Sequence, residues 1–464
     1  MIKLVIAEKP SAAKSIAAAI GAVRQEKGFV CGNGYIVSWC FGHLAGLAEP
    51  DSYDEKYGRW KRDDLPIIPE YWQYSVDPDK QQQFDLLCEL MAKPDVTEVI
   101  NACDAGREGE LIFRTVYMLA DCEKPVKRLW ISSMEDEAVR EGFANLKDGK
   151  EYDGLYSAAL CRSRADWIVG INATRLFSVL YHRTLSVGRV VSPTLALLVE
   201  REAEISAFKS EPIYTVSLDF GRFSAVSDKF KEKGEAEKLL KACEDAPAVV
   251  KNITAKTKAE KAPALFDLTS LQREANRLLG FTAQQTLDYL QSLYEKKLVT
   301  YPRTDSRYLT DEMESSVPEI VKTAAGLIEL PLPERMNAKQ ICDSGKVSDH
   351  HALVPTLTAG RHSTESLPSG EREILNLVAK QTLISVCDEY RWIETSAVIE
   401  CGGYDFKAKG KVVLDEGWKA YLKQEQKTKE LPELSEGAVL DIVSSEVKEG
   451  RTEPPQSYTD VLFC

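Results

Sequence analysis

The spacing of apolar positions changes several times along this chain, and each change marks a new element. Residues 3–7 form a short apolar run that reads as a strand. Ser11 follows as the candidate cap of an alanine-rich helix over 12–20, which Gly21 ends. Residues 96–102 are a second apolar strand, followed by a glycine-containing turn and a helix over 108–120. Strands alternating with helices predict a largely parallel sheet within residues 1–150, with ligands at the carboxyl ends of its strands.

The period then lengthens. Residues 151–210 read as helical, with an amphipathic stretch over 155–180 that carries arginines on one face and a second helix over 193–204. Residues 211–262 switch to alternation, with Tyr214, Val216, Leu218 and Phe220 facing one way. Residues 263–390 are mainly helical again, and Thr282 can cap a helix whose apolar face is Leu287, Leu290, Leu293 and Leu298. The β pattern returns over 391–450, in 397–399 and 404–413, which predicts a helical domain inserted into a β domain. The charged stretch 424–437 reads as a surface loop.

Within the third block, Leu298-Val-Thr-Tyr301-Pro-Arg303-Thr-Asp305-Ser306 places a phenol, a guanidinium and a carboxylate close together. A residue before proline is pushed out of the helical region, so Tyr301 is expected at the end of a short strand and outside any packed stripe. Arg303, two positions on in extended chain, points to the same side. A nucleophile beside a planar cation suits phosphoryl transfer. The plainer alternative is that Tyr301, one of 18 tyrosines, is a half-buried anchor.

Composition narrows the class. At 464 residues the chain is too long for one core, and two to four domains are expected. No stretch reaches the roughly 18 apolar residues of a membrane span. The 11 cysteines are scattered without a C-x-x-C pair, so neither a zinc site nor a disulfide framework is read, and a reducing, cytoplasmic setting fits. A net charge of −13 argues against an all-over basic coat, yet Arg162, Arg164, Arg175, Arg183 and Arg189 stand against Asp166 alone between 162 and 189.

Two strands end in carboxylates, one giving Glu8-Lys9-Pro10-Ser11 and the other Asp104-Ala-Gly106-Arg107-Glu108. If a helix starts near Gly106, Asp104 and Glu108 face one site, and with Glu8 they make a hard-oxygen set suited to Mg2+. The alternative is that Asp104 and Glu108 only complement a helix dipole. Lys9 could reach a phosphate oxygen or be an ordinary solvated lysine. His350 and His351 follow Asp349; either could bond a phosphate or move a proton, or be a satisfied structural histidine.

Together these stretches resemble type IA DNA topoisomerases, most closely the bacterial topoisomerase III group. The matching segments run in family order: Ile6-Ala-Glu-Lys-Pro-Ser11, Gly32-Asn-Gly34, Asp104-Ala-Gly-Arg-Glu-Gly-Glu110, Ala165-Asp-Trp-Ile-Val-Gly-Ile-Asn172, Ser186-Val-Gly-Arg189, the Tyr301 segment, and Asp349-His-His-Ala-Leu-Val-Pro-Thr356. The resemblance implies a multidomain α/β plus α+β fold: a Rossmann-like Toprim domain over 1–150, a helical DNA-binding domain over 151–210 that 451–464 would rejoin, a β arch over 211–262 and 391–450, and a helical domain over 263–390, arranged as a ring. It implies that Tyr301 attacks a phosphodiester of single-stranded DNA to give a 5′-phosphotyrosine, that another strand passes, and that the break reseals without ATP. It assigns Arg303, Lys9, His350 and, less directly, His351 to the scissile phosphate or proton transfer, and Glu8, Asp104 and Glu108 to Mg2+. Trp60, Trp167, Arg175 and the run Ser186, Val187, Gly188, Arg189, Val190 and Val191 would contact DNA, with core packing the alternative for either tryptophan. The expected state is a monomer.

The chain departs from the family pattern in places. Gly106 stands where the motif usually has a second aspartate, which should weaken metal binding or change its stoichiometry, and Val191 stands where glutamine is usual. The end, Pro454-Pro455-Gln-Ser-Tyr458-Thr-Asp460-Val-Leu-Phe-Cys464, resembles the opening of a final return through the second domain, so a ring incomplete at the C-terminus is expected. Competing readings are a Toprim nuclease or primase using the acidic cluster alone, and a truncated single-stranded-DNA-binding protein without turnover.

Overall fold

The computed structural model describes residues 2–422 and 430–459. β1 (Ile2–Ala7) leads into α1 (Pro10–Ala19), and β2 (Arg24–Glu26), β3 (Phe29–Gly32) and β4 (Tyr35–Trp39) return the chain to the flank of β1. A ribbon of β5 (Ala45–Leu47) and β6 (Tyr74–Val76) precedes α2 (Gln81–Ala92) and β7 (Val96–Ala102). α3 (Arg107–Leu119), β8 (Val126–Arg128), α4 (Asp136–Ala144) and β9 (Lys147–Asp148) complete this unit. The sheet order is β2-β3-β4-β1-β7-β8-β9, with β1 parallel to both β4 and β7. Ala7 pairs with Trp39 on one side and Ala102 on the other. Glu8 and the Cys103-Asp104 pair therefore leave the sheet together at its carboxyl edge, where α/β folds place ligands.

Ser11 is not the cap of α1. The helix starts at Pro10, with Lys9 as an extended N-cap and no side-chain cap bond. Proline suits the first helical position because its φ is already helical and its missing N–H has no partner to lose there. The consequence is that Glu8 and Lys9 sit on the turn between strand and helix.

α5 (Asp153–Tyr181) and α6 (Val191–Ala207) follow. α6 buries no residue, and Val191, Leu195, Leu197 and Val199 are exposed along it. A second, antiparallel sheet is built from β10 (Pro212–Asp219), β11 (Ser224–Val226) and, beyond α7 (Lys233–Cys243), β12 (Ala248–Glu260). The chain then forms α8 (Leu268–Leu279), α9 (Ala283–Glu295), α10 (Val317–Leu327) and α11 (Ser369–Ile384) before β13 (Tyr390–Cys401), β14 (Tyr404–Asp415), β15 (Val439–Leu440) and β16 (Ser444–Arg451). The sheet order is β15-β12-β13-β14-β11-β10-β16. β12 and β13 pair from Val249 opposite Glu400 to Glu260 opposite Tyr390, so residues 261–389 leave and re-enter through neighbouring strands.

The strand expected before Tyr301 is absent. α9 is followed by Lys297 at φ 65°, and Val299 makes only an isolated bridge to Pro355. Nor is Tyr301 outside a packed stripe: it is 5% exposed and belongs to an apolar cluster that runs from Val5, Ile16 and Ile100 to Leu290, Leu293, Tyr294 and Leu353. The α/β unit and the helical segment thus share one packed face. Of the charged stretch 424–437, residues 430–437 are irregular chain and a turn, and the remainder lies outside the described residues, as does the apolar ending 461–464. Thr452 still pairs with Glu211, and Arg201 of α6 donates to the Gln456 carbonyl at 2.9 Å. Among the described residues no helix is long and apolar enough to cross a membrane.

Candidate active site

The edge of the first sheet holds two carboxylates, Glu8 buried and Asp104 13% exposed. Burial, then the neighbouring Asp104, raises the Glu8 carboxyl to about 7, while Lys9 and Arg303 oppose the shift. Burial also raises Asp104, against the pull of Arg303, Lys9 and Arg128. Asp104 Oδ2 is buried with no hydrogen-bond partner, and the Arg303 guanidinium stands 3.8 Å away.

The turn carrying Asp104 is held from behind. Arg128, 1% exposed, donates to the carbonyls of Cys103 (2.6 Å) and Asp104 (2.7 Å) and pairs with Glu110 at 2.7 Å. Asn101 donates to the same Glu110 carboxylate and accepts from the Cys103 amide, closing the network. Gly109 has its own reason: a Cβ there would stand 2.0 Å from the Asp104 carbonyl oxygen, so only glycine lets the first turn of α3 approach.

Glu108 does not join the other carboxylates. Its side chain is 62% exposed and bonds His43 at 3.4 Å, the main reason its carboxyl is held below the usual value. Among the described residues no three His, Cys, Asp or Glu side chains converge as a metal cluster. Of the expected three-carboxylate set this structure brings Glu8 and Asp104 together, with Glu108 turned aside to His43. That pair fits a cation: two ionisable groups repel each other in a buried corner, and one oxygen lacks a donor.

Tyr301 arrives from the helical segment. Its amide donates to the Ser132 carbonyl at 2.9 Å, and its ring meets Tyr294 edge-on at 5.5 Å and His350 at 4.2 Å. Burial, then Asp104, raises the phenol well above its usual value, and Arg303 works against this. The Pro302 step brings Arg303 round to Asp104 and to Gln291, whose Oε1 lies 3.4 Å from Nη1. Lys9 reaches Glu295 Oε1 at 3.4 Å.

His350 is 3% exposed and both ring nitrogens are engaged. Nε2 donates to the Ala105 carbonyl, and Nδ1 accepts from Ser132 Oγ at 2.8 Å. Burial lowers this imidazole to about 4, so it is neutral near pH 7. It stacks on Trp130 at 5.7 Å, and Trp130 in turn lies over Arg128 at 5.3 Å. Both nitrogens of His350, the histidine expected to contact phosphate or move a proton, are here taken up by protein partners. His351 bonds the carbonyl of Ala352, and burial lowers it too.

The expected DNA-contact residues divide. Trp167 is core: 9% exposed, donating to the Ala48 carbonyl and packed edge-on to Tyr53 and Trp72. Arg175 is also buried, bonding the Tyr57 carbonyl at 2.6 Å, and burial lowers it. It supports Trp60, whose 42% exposed ring lies 5.4 Å over the guanidinium at the mouth of a pocket of about 400 Å³. Arg189 is exposed and pairs with Asp166 at 2.8 Å. Ser186 and Val190 are exposed and Val187 and Gly188 half-buried on the connection from α5 to α6, and Val191, also exposed, opens α6.

Sequence reasoning missed Arg128, Glu110, Asn101, Trp130, Ser132, Gln291 and Glu295. For Gln291 and Glu295 a signal existed: they are four apart on the helix leading into the Tyr301 segment, hence on one face. For the buried network there was none, since its spacing follows the sheet and not the chain.

Comparison with known proteins bears on this geometry. A family model described as DNA topoisomerase matches residues 150–462, and one described as Toprim domain matches residues 3–134. DNA topoisomerase 3 of Bacillus subtilis (strain 168) is 38% identical over 482 residues, covering 98% of this chain and 66% of that protein. DNA topoisomerase 3 of Bacillus licheniformis is 38% identical over 484 residues, with 98% and 66% covered. The solved structure of full-length topoisomerase I from Thermotoga maritima matches with a TM-score of 0.76 at 25% identity, covering 98% of this chain and 73% of that one. The chain thus spans 66% of the length of the first of these curated relatives.

Proposed function

The chain belongs to the DNA topoisomerase family, in its type IA branch, and from that premise we propose that it breaks and reseals one strand of DNA through Tyr301. The phenolic oxygen bonds to phosphorus at the 5′ side of the break, the 3′ oxygen leaves and takes up a proton, and the phenol gives up its own. Resealing is the reverse: the 3′ hydroxyl attacks the phosphotyrosine and frees the phenol. The bond energy is retained, so no nucleotide triphosphate is consumed, and no ATP-binding step is required.

One observation carries this reading. Tyr301 and Arg303 on the helical segment meet Lys9, Glu8 and Asp104 on the first sheet, with Arg303 3.8 Å from Asp104. Arg303 suits bidentate contact with the scissile phosphate, and Lys9 adds a point charge. Glu8 and Asp104 would hold Mg2+; the chemistry it supplies when bound is positive charge beside the phosphate and a template for the 3′ hydroxyl. Ser132 and His350 hold the Tyr301 backbone and ring in place. Since Tyr301 is 5% exposed, a strand reaches it only when the shared face between the two units parts. Trp60 and Arg189 supply exposed stacking and charge for a single-stranded segment, and the protein acts as a monomer.

The test is capture of a covalent adduct on a single-stranded oligonucleotide, alongside relaxation of negatively supercoiled plasmid. Adduct and relaxation are both expected from the parent and neither from Tyr301→Phe. Cleavage that survives Tyr301→Phe overturns the reading in favour of a nuclease using the acidic pair. Adduct without relaxation restricts the function to cleavage and DNA binding.

A further inference from the structure

We propose that Glu295 is an internal placeholder for the scissile phosphate, occupying Lys9 until a phosphodiester displaces it. The inference rests on the reading of this site as a phosphodiester site. Both cations that would hold the phosphate are already held by carboxylates: Lys9 by Glu295 at 3.4 Å and Arg303 by Asp104 at 3.8 Å. One amide ties the two pairs together. Gln291 donates Nε2 to Glu295 Oε1 at 3.0 Å and accepts from Arg303 Nη1 at 3.4 Å. The chain of contacts is Lys9, Glu295, Gln291, Arg303, Asp104.

The geometry suits exchange better than permanent support. The Lys9–Glu295 contact is long, and the two side chains are 36% and 28% exposed, so the pair is weak and accessible to a competing anion. Charge counting gives the direction. Glu8, Asp104 and Glu295 face Lys9 and Arg303, and a phosphodiester entering with Glu295 unmoved would be a fourth acidic group against two cations. The field of Glu295 reaches the whole corner, since it helps to raise both Asp104 and Tyr294. When phosphate takes Lys9 and Arg303, Glu295 is released toward solvent at the end of α9. Asp104 Oδ2 then loses the Arg303 guanidinium beside it and is open to a divalent ion. Phosphate binding and cation binding are in this way coupled through Arg303.

The experiment measures the affinity of a fluorescent single-stranded oligonucleotide in EDTA, with Tyr301→Phe present throughout to prevent covalent capture. Glu295→Gln is expected to tighten binding by about threefold to tenfold. In a Lys9→Ala background the same change is expected to tighten binding clearly less than in the parent, because only the repulsion by Glu295 is then relieved and its hold on Lys9 is already gone. Glu295→Ala removes the same charge and serves as the second variant. Binding that is unchanged or weakened by Glu295→Gln, while Lys9→Ala still weakens the parent, overturns the placeholder and leaves the phosphodiester site intact. An oligonucleotide that fails to bind the parent, or binding indifferent to Lys9→Ala, overturns the site reading itself.

Discussion

The ring of Tyr301 lies 4.2 Å from the ring of His350, tilted by 35°, and the far nitrogen of that histidine donates to the Ala105 carbonyl beside Asp104. The imidazole is thus a spacer between the phenol and the acidic turn. His350→Ala removes the spacer and leaves Ser132 Oγ without its acceptor. Adduct formation is expected to fall by on the order of tenfold to a hundredfold, the usual result of slight misplacement of a reacting group, with oligonucleotide affinity largely retained. Because His350 stays neutral down to about pH 4, the parent's adduct yield should show no inflection near pH 6.5 that His350→Gln removes.

The raised Glu8 carboxyl gives a signed pH dependence. Its folded value of about 7 lies above the unfolded 4.5, so the folded state binds the proton more tightly and the group's contribution is present below pH 4.5. That contribution is lost as pH rises from 4.5 through about 7, on the order of 3 kcal/mol at most. Thermal midpoints measured in EDTA should fall across this window, and Glu8→Gln should flatten the profile. Affinity for Mg2+, read by protection against unfolding, should rise over the same range.

Arg128 and Glu110, each 1% exposed, offer a stability test. Arg128→Met takes from the buried Glu110 its fully buried cation and leaves it the Asn101 amide at 2.8 Å and the more exposed Arg114 at 3.3 Å. The expected loss is about 3–5 kcal/mol, seen as a lower denaturation midpoint of the 1–150 unit. Adding Glu110→Gln should restore part of it, because no unpaired charge is then buried. Full stability in Arg128→Met alone would rule out the network as the support of the Asp104 turn.

The two tryptophans should separate cleanly. Trp167→Ala empties a core position and is expected to cost about 3–5 kcal/mol in unfolding experiments. Trp60→Ala should leave stability nearly unchanged and weaken oligonucleotide binding by about 1–3 kcal/mol. The reverse pattern would mean that the pocket beside Arg175 is not a base-stacking surface.

Local patterns made much of this legible. The apolar run 96–102 is β7 residue for residue, and the helix expected over 108–120 is Arg107–Leu119. The alternation at Tyr214, Val216 and Leu218 is β10, and Thr282 does cap α9, accepting from the Gln285 amide. Errors came where tertiary context outweighed a local rule. Proline at the first position of α1 displaced Ser11 as cap. Tyr301 precedes Pro302 in irregular chain, where packing against Tyr294 and His350 buries it. A helical period shared by Asp104 and Glu108 suggested one ligand set, yet Asp104 precedes α3 and Glu108 turns to His43. A positive charge reads as surface in a sequence, whereas Arg175 and Arg128 are buried and bonded to carbonyl oxygens.

Residues 261–389 hang from the second sheet by two antiparallel legs, β12 and β13, paired over most of their length. β14 pairs with β13 along its whole length, so the legs are part of a sheet, and a sheet bends out of its own plane far more readily than it shears within it, since shear breaks the ladder bonds. Displacement of the Tyr301-bearing segment therefore has one soft direction. On the function proposed above, a broken strand fastened to that segment would follow the same direction out and back.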